Sequence, residues 1–144
     1  MDFATAFIAL YVGHHVGDYW VQTDHQALTK GKAGTEGVLS CWMHVLSYLL
    51  TQLTCLGISG TVTGWGGLLH WWQIPAAMLI SGLTHYTADR RGHGLMFNLA
   101  RLVRLDAFLV LGKGTPTVAT GAWALDQSWH LFWGVFVAAL ILGV

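Results

Sequence analysis

One uncharged stretch decides the fold: residues 38–59 read VLSCWMHVLSYLLTQLTCLGIS and contain no Asp, Glu, Lys or Arg. A helix needs roughly 20 predominantly apolar residues to cross the hydrocarbon core of a bilayer. This stretch reaches that length, and its few polar side chains are uncharged. We therefore predict a transmembrane helix over residues 38–59.

Three further stretches of the chain have the same character and are also predicted to span a membrane. They cover residues 3–22, 65–88 and 119–144, and Asp18 and Asp126 are their only charged residues. The chain of 144 residues is 54% hydrophobic and 10% charged, whereas soluble domains carry about 25% charged residues. The composition predicts an all-α integral membrane protein with four transmembrane helices in one domain, residues 1–144. A net charge of zero argues against nucleic-acid binding.

The placement of Lys and Arg predicts the topology. All of them lie in residues 23–37 or 90–118, so both segments are predicted to be cytoplasmic and both termini to lie outside the cytoplasmic membrane. Residues 90–118 mix apolar side chains with Arg101, Arg104 and Asp106, which predicts a short amphipathic helix in the interface. A re-entrant piece packed under the helices is the alternative. The lipid bilayer is the predicted partner, and association into a homo-oligomer stays open.

Tryptophans are predicted to mark both membrane interfaces, where amphipathic aromatic rings accumulate. The outer interface would hold Trp65, Trp71 and Trp72. The inner interface would hold Trp20, Trp42 and Trp123.

Each predicted span carries ionisable residues, which are costly inside a membrane and indicate a functional site. Most follow intervals of four residues, and residues at i and i+4 lie one above the other on one helix face. In the predicted topology they all lie at the cytoplasmic end of their spans. We call this set the His/Asp cluster: His14, Asp18, His44, His85, Asp89, Asp126 and His130. Because the four polar faces share one depth, we predict that they converge on one site.

The chemistry of the His/Asp cluster indicates a metal ion. Three unpaired carboxylates would be very unfavourable in a low-dielectric environment, so they are either protonated or share a cation. No Lys or Arg lies within a predicted span, and Arg90 and Arg91 are expected to be the closest cations. Imidazole and carboxylate ligands suit a divalent ion, with zinc as the first expectation and manganese, iron or nickel as alternatives.

Seven donors exceed the four that one tetrahedral zinc needs. A two-metal site therefore stays open. Other members of the cluster would hydrogen-bond the ligands instead, since a metal-bound His usually donates its second N–H to a carboxylate. The same supporting role is predicted for Gln22, Tyr48 and Gln127.

Two classes of function follow from this cluster. One is metal-dependent hydrolysis of a membrane-associated substrate, with Asp18 or Asp126 as the candidate catalytic residue. The other is a non-enzymatic membrane protein, either an ion- or proton-handling protein or an interaction module, in which the cluster is a structural polar network.

The order of these motifs resembles one family of small bacterial membrane proteins. The chain reads His14-x-x-Gly17-Asp18-x-x-x-Gln22-Thr23-Asp24, then Lys30, His44, His85-x-x-x-Asp89 and Asp126-Gln127-x-x-His130. Over nearly its whole length this pattern resembles the family catalogued as "domain of unknown function 3307", and residues 120–130 resemble its actinobacterial or phage members. That family often has a second His in the second span where this chain has Tyr48. The resemblance implies a membrane protein and implies no activity.

Overall fold

A computed structural model describes residues 1–64, 69–114 and 120–143, and its regular structure is entirely helical over those ranges. In chain order the helices are α1 (Phe3–Val16), α2 (Asp24–Thr29), α3 (Gly34–Thr63), α4 (Gln73–Asp89), α5 (Leu95–Leu102), α6 (Asp106–Leu109), α7 (Gly121–Trp129) and α8 (Ala138–Leu142). The π-helical segment Gly17–Val21 continues α1. A second π-helical segment, His130–Val137, joins α7 to α8. A 3₁₀ turn, Arg91–His93, follows α4. The predicted all-α class is confirmed.

Two helices in the described part of the chain are long and apolar enough to cross a membrane. They are α3 and the continuous helix Gly121–Leu142. Helix α4 has 17 residues, and helix α1 with its π-helical continuation ends at Val21. The starts of the predicted third and fourth spans, with Trp65, fall outside the described residues. The number of spans therefore stays a prediction.

The long helices contact one another in a closed order: α1 packs on α3, α3 on α4, α4 on His130–Val137 and α8, and α8 back on α1. Small side chains fill much of the core between them, which lets helix backbones approach closely. One such close approach is at Gly13 of α1, where an added Cβ would lie 2.8 Å from Cα of Gln52 in α3. The buried core consists of Met1, Ala6, Ala9, Leu10, Leu56, Ala77, Met78, Val135, Ala138, Ala139 and Leu142.

A polar network separates this apolar core from the other end of the helices. The Gln52 amide donates to the Tyr48 hydroxyl at 2.9 Å and to the Gly134 carbonyl at 3.2 Å. The Ser81 hydroxyl donates to the Gln52 carbonyl oxygen at 2.8 Å and lies 3.3 Å from the Tyr48 hydroxyl. Because a buried amide is costly unless it is hydrogen-bonded, the network fixes α3 against α4 and the π-helical segment. The His/Asp cluster lies directly beyond it.

Segment 90–118, which was predicted to hold a short amphipathic helix, contains α5 and α6. Helix α5 buries Met96 and Ala100 and contacts α4. Leu95, Leu99 and Leu102 are exposed on it. The segment is therefore attached to the end of a long helix and presents apolar side chains outward.

Candidate metal centre

Four buried donor atoms face one another at the end of the helices beyond the polar network. They are Nε2 of His44, Nε2 of His85, Oδ1 of Asp18 and Oδ2 of Asp89, and we call them the donor tetrad. The two nitrogens are 3.0 Å apart. The His44 nitrogen lies 3.3 Å from Asp18 and 3.2 Å from Asp89. The His85 nitrogen lies 3.4 Å from Asp18 and 3.1 Å from Asp89.

The one N–N distance and the four N–O distances lie close to the edges of a zinc-centred tetrahedron, and three of the five are slightly shorter than those edges. With ligands about 2.0–2.2 Å from a zinc ion, tetrahedral geometry places neighbouring ligand atoms about 3.3–3.6 Å apart. The five distances of the tetrad run from 3.0 to 3.4 Å. Both carboxylate oxygens are buried and have no hydrogen-bond partner within the described ranges. The tetrad therefore brings together two buried carboxylate oxygens and two imidazole nitrogens, which are atoms that can hold a cation.

Regular helix geometry positions the half of the tetrad that lies on α4. His85 and Asp89 occupy successive turns at its carboxyl end, so their side chains point the same way. His44 lies on α3, which packs against α4. Its side chain is fully buried, and it therefore meets the α4 pair in the interface between these two helices.

Asp18 reaches the tetrad from an irregular helix. It lies in the π-helical segment Gly17–Val21, where the Gln22 amide donates to the Gly17 carbonyl, five residues back, at 3.1 Å. Such wide turns are rare in proteins overall, and those that occur are often found at functional sites. His130 begins the second π-helical segment. The four-residue spacing predicts regular helices at both places, so these widened turns differ from that prediction.

Three members of the His/Asp cluster lie beside the tetrad without joining its four atoms. Nδ1 of His14 is 3.5 Å from Oδ2 of Asp18, and the His130 ring centroid is 4.2 Å from that of His85. Asp126 lies 3.9 Å from His130, measured from Oδ2 to Nδ1. The structure thus brings all seven residues to one place, as predicted, but gives them different positions.

His130 has one ring nitrogen without a partner. Its Nδ1 lies 2.6 Å from the backbone carbonyl of Asp126. Since a carbonyl only accepts hydrogen bonds, the neutral ring carries its proton on Nδ1. Its Nε2 is buried and makes no hydrogen bond to the described residues. One ligand atom from each of Asp89, Asp126 and His130 lies within 4.8 Å of the others, so a second cation position next to the tetrad is geometrically open.

The predicted supporting residues contact the cluster in different ways. Gln127 places Oε1 3.4 Å from Nε2 of His14. Tyr48 packs its ring on His85, with centroids 3.8 Å apart, and its hydroxyl bonds to the polar network instead of a ligand. Gln22 accepts a hydrogen bond from Lys30 at 3.2 Å and so acts on the cluster indirectly.

Lys30 is the residue of the site that the sequence analysis missed. Its ammonium lies 2.7 Å from Oδ1 of Asp89, and both side chains are at least nine-tenths buried. The expectation that Arg90 and Arg91 are the nearest cations was wrong for this carboxylate. Arg90 instead donates to the Lys30 backbone carbonyl at 2.8 Å and holds that segment in place.

A local signal in the sequence could have located Lys30. Thr23 and Gln26 form a capping box that starts α2, and this short helix ends immediately before Lys30. The hydroxyl of Thr29 bonds to that of Ser40 at 2.6 Å, which docks the end of α2 on α3. The capping-box pattern thus predicts a short helix that ends beside Lys30, which is the part of this arrangement that the local sequence contains.

A cleft of about 510 Å³ opens next to the tetrad, within the usual range for ligand sites. Acidic and amide side chains line one part of it: Asp18, Gln22, Asp89, Asp126 and Gln127. Basic and aromatic side chains line the rest: Lys30, Arg91, Arg101, Tyr19, Phe97 and Trp123. Ala27, Thr120 and Ala122 complete the lining. The cleft therefore reaches the side chains of Asp18 and Asp89, whose tetrad oxygens are themselves buried behind it.

Comparison with known proteins adds no family assignment. No protein-family model matches the chain, and neither the curated proteins nor the solved structures include a match. The resemblance to "domain of unknown function 3307" therefore stays a prediction from the motifs, and the functional argument depends on the geometry of the site.

Proposed function

We propose that the donor tetrad binds one divalent metal ion, with zinc as the first candidate and manganese, iron or nickel as alternatives. The observation that carries this proposal is the set of five distances of 3.0–3.4 Å among two imidazole nitrogens and two carboxylate oxygens. A buried acceptor without a partner costs about 1–3 kcal/mol, and more when it is charged. A cation at the centre of the tetrad removes that cost for both carboxylates at once.

We further propose that the site hydrolyses a membrane-associated substrate. A metal ion held by the tetrad would act as a Lewis acid and would activate water near neutral pH only with more than four ligands, because the four donor atoms fill the positions of a tetrahedral ion. The geometry favours different roles for the two candidate catalytic residues. Asp18 is part of the tetrad and would hold the metal ion. Asp126 lies outside the tetrad, is 24% exposed and lines the cleft, so it is the better placed to accept a proton from the attacking water.

The surface of the structure supports the proposal that four helices cross the cytoplasmic membrane. Soluble monomers rarely expose large contiguous apolar patches, yet every long helix carries exposed apolar side chains: Ile8, Val12, Leu39, Leu46, Leu50, Leu79, Leu83, Phe132, Phe136 and Leu140. Trp20, Trp42 and Trp123, near the cluster, and Trp71 and Trp72, before α4, are exposed too. This arrangement fits two aromatic belts, with the metal site on the basic, cytoplasmic side.

Metal content tests the proposal directly. The protein is purified in detergent without a chelating tag, and its metals are measured by plasma mass spectrometry. We expect about one transition metal per chain in the wild type and a loss of that metal in His44→Ala/His85→Ala. The matched control is His70→Ala, because His70 is exposed and lies outside the cluster. Circular dichroism and gel filtration establish that each variant is folded.

Two results would reject the metal site. One is a wild-type protein that stays metal-free after zinc and manganese are offered. The other is a folded His44→Ala/His85→Ala variant that keeps its metal. Either result would favour the alternative of a proton-sharing polar network in a non-enzymatic membrane protein, since the 3.0 Å separation of the His44 and His85 nitrogens is also a hydrogen-bond distance.

A further inference from the structure

The cleft beside the donor tetrad has a basic side that the metal site does not use. The Arg101 side chain is exposed and makes no hydrogen bond or ion pair with the described residues. Arg91 makes one long hydrogen bond, 3.4 Å, to the Ala27 carbonyl. Both line the cleft together with Lys30. The guanidinium groups are therefore available to a ligand.

The backbone holds Arg91 in an uncommon conformation at this place. Its φ is 47°, which is uncommon for a residue other than glycine, and Arg104 of the same segment also has a positive φ, 61°. Its side chain runs across Gly31, where an added Cβ would lie 2.8 Å from Cδ of Arg91. The preceding Arg90 is buried and bonded to the Lys30 carbonyl. Arg91 is thus directed along the segment that carries Lys30 and not freely into solvent.

Guanidinium groups next to a metal site select a particular ligand chemistry. Arg presents a planar set of N–H donors that matches the oxygens of a phosphate, and such charge-assisted bonds are among the stronger ones. A neutral ester or peptide would leave the charges of Arg91 and Arg101 unused. A phosphate group would bridge the cationic side and the tetrad, and Lys30 keeps a third N–H beyond its bonds to Asp89 and Gln22.

The remaining lining and the surroundings of the cleft are apolar. Tyr19, Phe97 and Trp123 line it, and Trp20 and Leu102 are 85% and 77% exposed in the neighbouring segments. An apolar group attached to the phosphate could therefore lie along aromatic side chains and extend toward the proposed membrane.

We propose that the cleft takes phosphate esters with an apolar substituent, the phosphate lying between the donor tetrad and the Arg91–Arg101 pair. This inference rests on the proposed metal-dependent hydrolysis. Water attacks phosphorus and the bond from phosphorus to the ester oxygen breaks, its electron pair staying on that oxygen. Asp126 accepts one proton from the water, and the released alcohol oxygen takes up one proton. The products are an alcohol and inorganic phosphate, with no change of oxidation state.

Binding of dodecyl phosphate to the metal-loaded protein in a non-ionic detergent tests the inference, with inorganic phosphate as the second probe. Calorimetry gives both affinities, and metal content is measured on the same samples. Each hydrogen-bonded charge contributes about 1.5–3 kcal/mol, so Arg101→Gln should weaken dodecyl phosphate binding by about tenfold or more. Arg91→Gln/Arg101→Gln should weaken it further. Arg104→Gln is the matched control, because Arg104 is an exposed Arg of the same segment outside the cleft lining.

The outcomes distinguish a failure of the proposed substrate class from a failure of the proposed metal site. Tight binding of dodecyl phosphate and weak binding of inorganic phosphate, both dependent on Arg101, support an amphipathic ester. Equal, Arg101-dependent affinities support a phosphate ester from a soluble source. A metal-loaded wild type that binds neither probe, or binds them unchanged in folded Arg101→Gln, overturns the substrate class and leaves the metal site intact. Binding without release of phosphate from dodecyl phosphate overturns the hydrolytic step. A wild type that holds no metal rejects the metal site itself.

Discussion

Removal of the Lys30 ammonium tests how the negative charge of Asp89 is compensated in the site. Lys30→Met keeps most of the side-chain volume and removes the charge that lies 2.7 Å from Asp89. Both side chains are at least nine-tenths buried, so solvent screens the pair little. Breaking a buried ion pair by removing one partner costs about 3–5 kcal/mol, because the other charge is left uncompensated. We expect the metal-free variant to lose about 3 kcal/mol of stability.

The metal-loaded protein should respond much less. A cation in the donor tetrad would contact Oδ2 of Asp89, the oxygen opposite the one that Lys30 binds. The carboxylate then keeps a positive partner when Lys30 is replaced. By linkage, the metal must bind more tightly to Lys30→Met than to the wild type, because it compensates a charge that Lys30 otherwise compensates. A difference of about 1.4 kcal/mol corresponds to a tenfold change in affinity.

Unfolding in detergent measures both effects. Thermal or denaturant unfolding is followed for wild type and Lys30→Met, each with and without saturating metal. Lys32→Met is the control, since Lys32 pairs with Glu36 on the surface with both side chains about half exposed, and exposed pairs contribute little. Equal stability of metal-free wild type and Lys30→Met, or equal stabilisation of both by metal, would refute this reasoning.

Three further changes test the packing, the polar network and the proton acceptor. Gly13→Ala should lower the free energy of unfolding by about 1–3 kcal/mol, because its Cβ would force α1 away from the Gln52 backbone; Gly57→Ala, with nothing within 4 Å of the new Cβ, should not destabilise the helix. Tyr48→Phe should cost about 1–3 kcal/mol by removing a partner of the buried Gln52 amide, and metal content should not change. Asp126→Asn should retain metal and lose most phosphate release in a turnover assay, and retained turnover would contradict its role as proton acceptor.

Helical periodicity correctly placed the cluster residues that lie on regular helices. His85 and Asp89 occur one turn apart on α4, so spacing alone placed them on one face. Helical spacing does not place the side chain of Gln22 correctly, because Gln22 follows a π-helical segment and has extended backbone dihedrals. Its side chain reaches Lys30 and not a member of the tetrad.

Other features depend on tertiary contacts that no local pattern contains. Lys30 appeared to be one of several basic residues that set topology. Its burial follows from the docking of α2 on α3 and from the bond between Arg90 and its carbonyl. The division of the cluster into four converging atoms and three neighbouring residues depends on which oxygen of each carboxylate faces inward, which residue spacing does not specify.

That division explains why the site needs more polar residues than a tetrahedral metal ion has ligands. Asp18 directs Oδ1 to the tetrad while Oδ2 lies near His14. Asp89 directs Oδ2 to the tetrad while Oδ1 binds Lys30. Each carboxylate is thus oriented through its second oxygen. His14 and Lys30 therefore belong to the metal site through the carboxylates that they orient. Asp126 lines the cleft with a side chain that is 24% exposed, so it remains available for chemistry there.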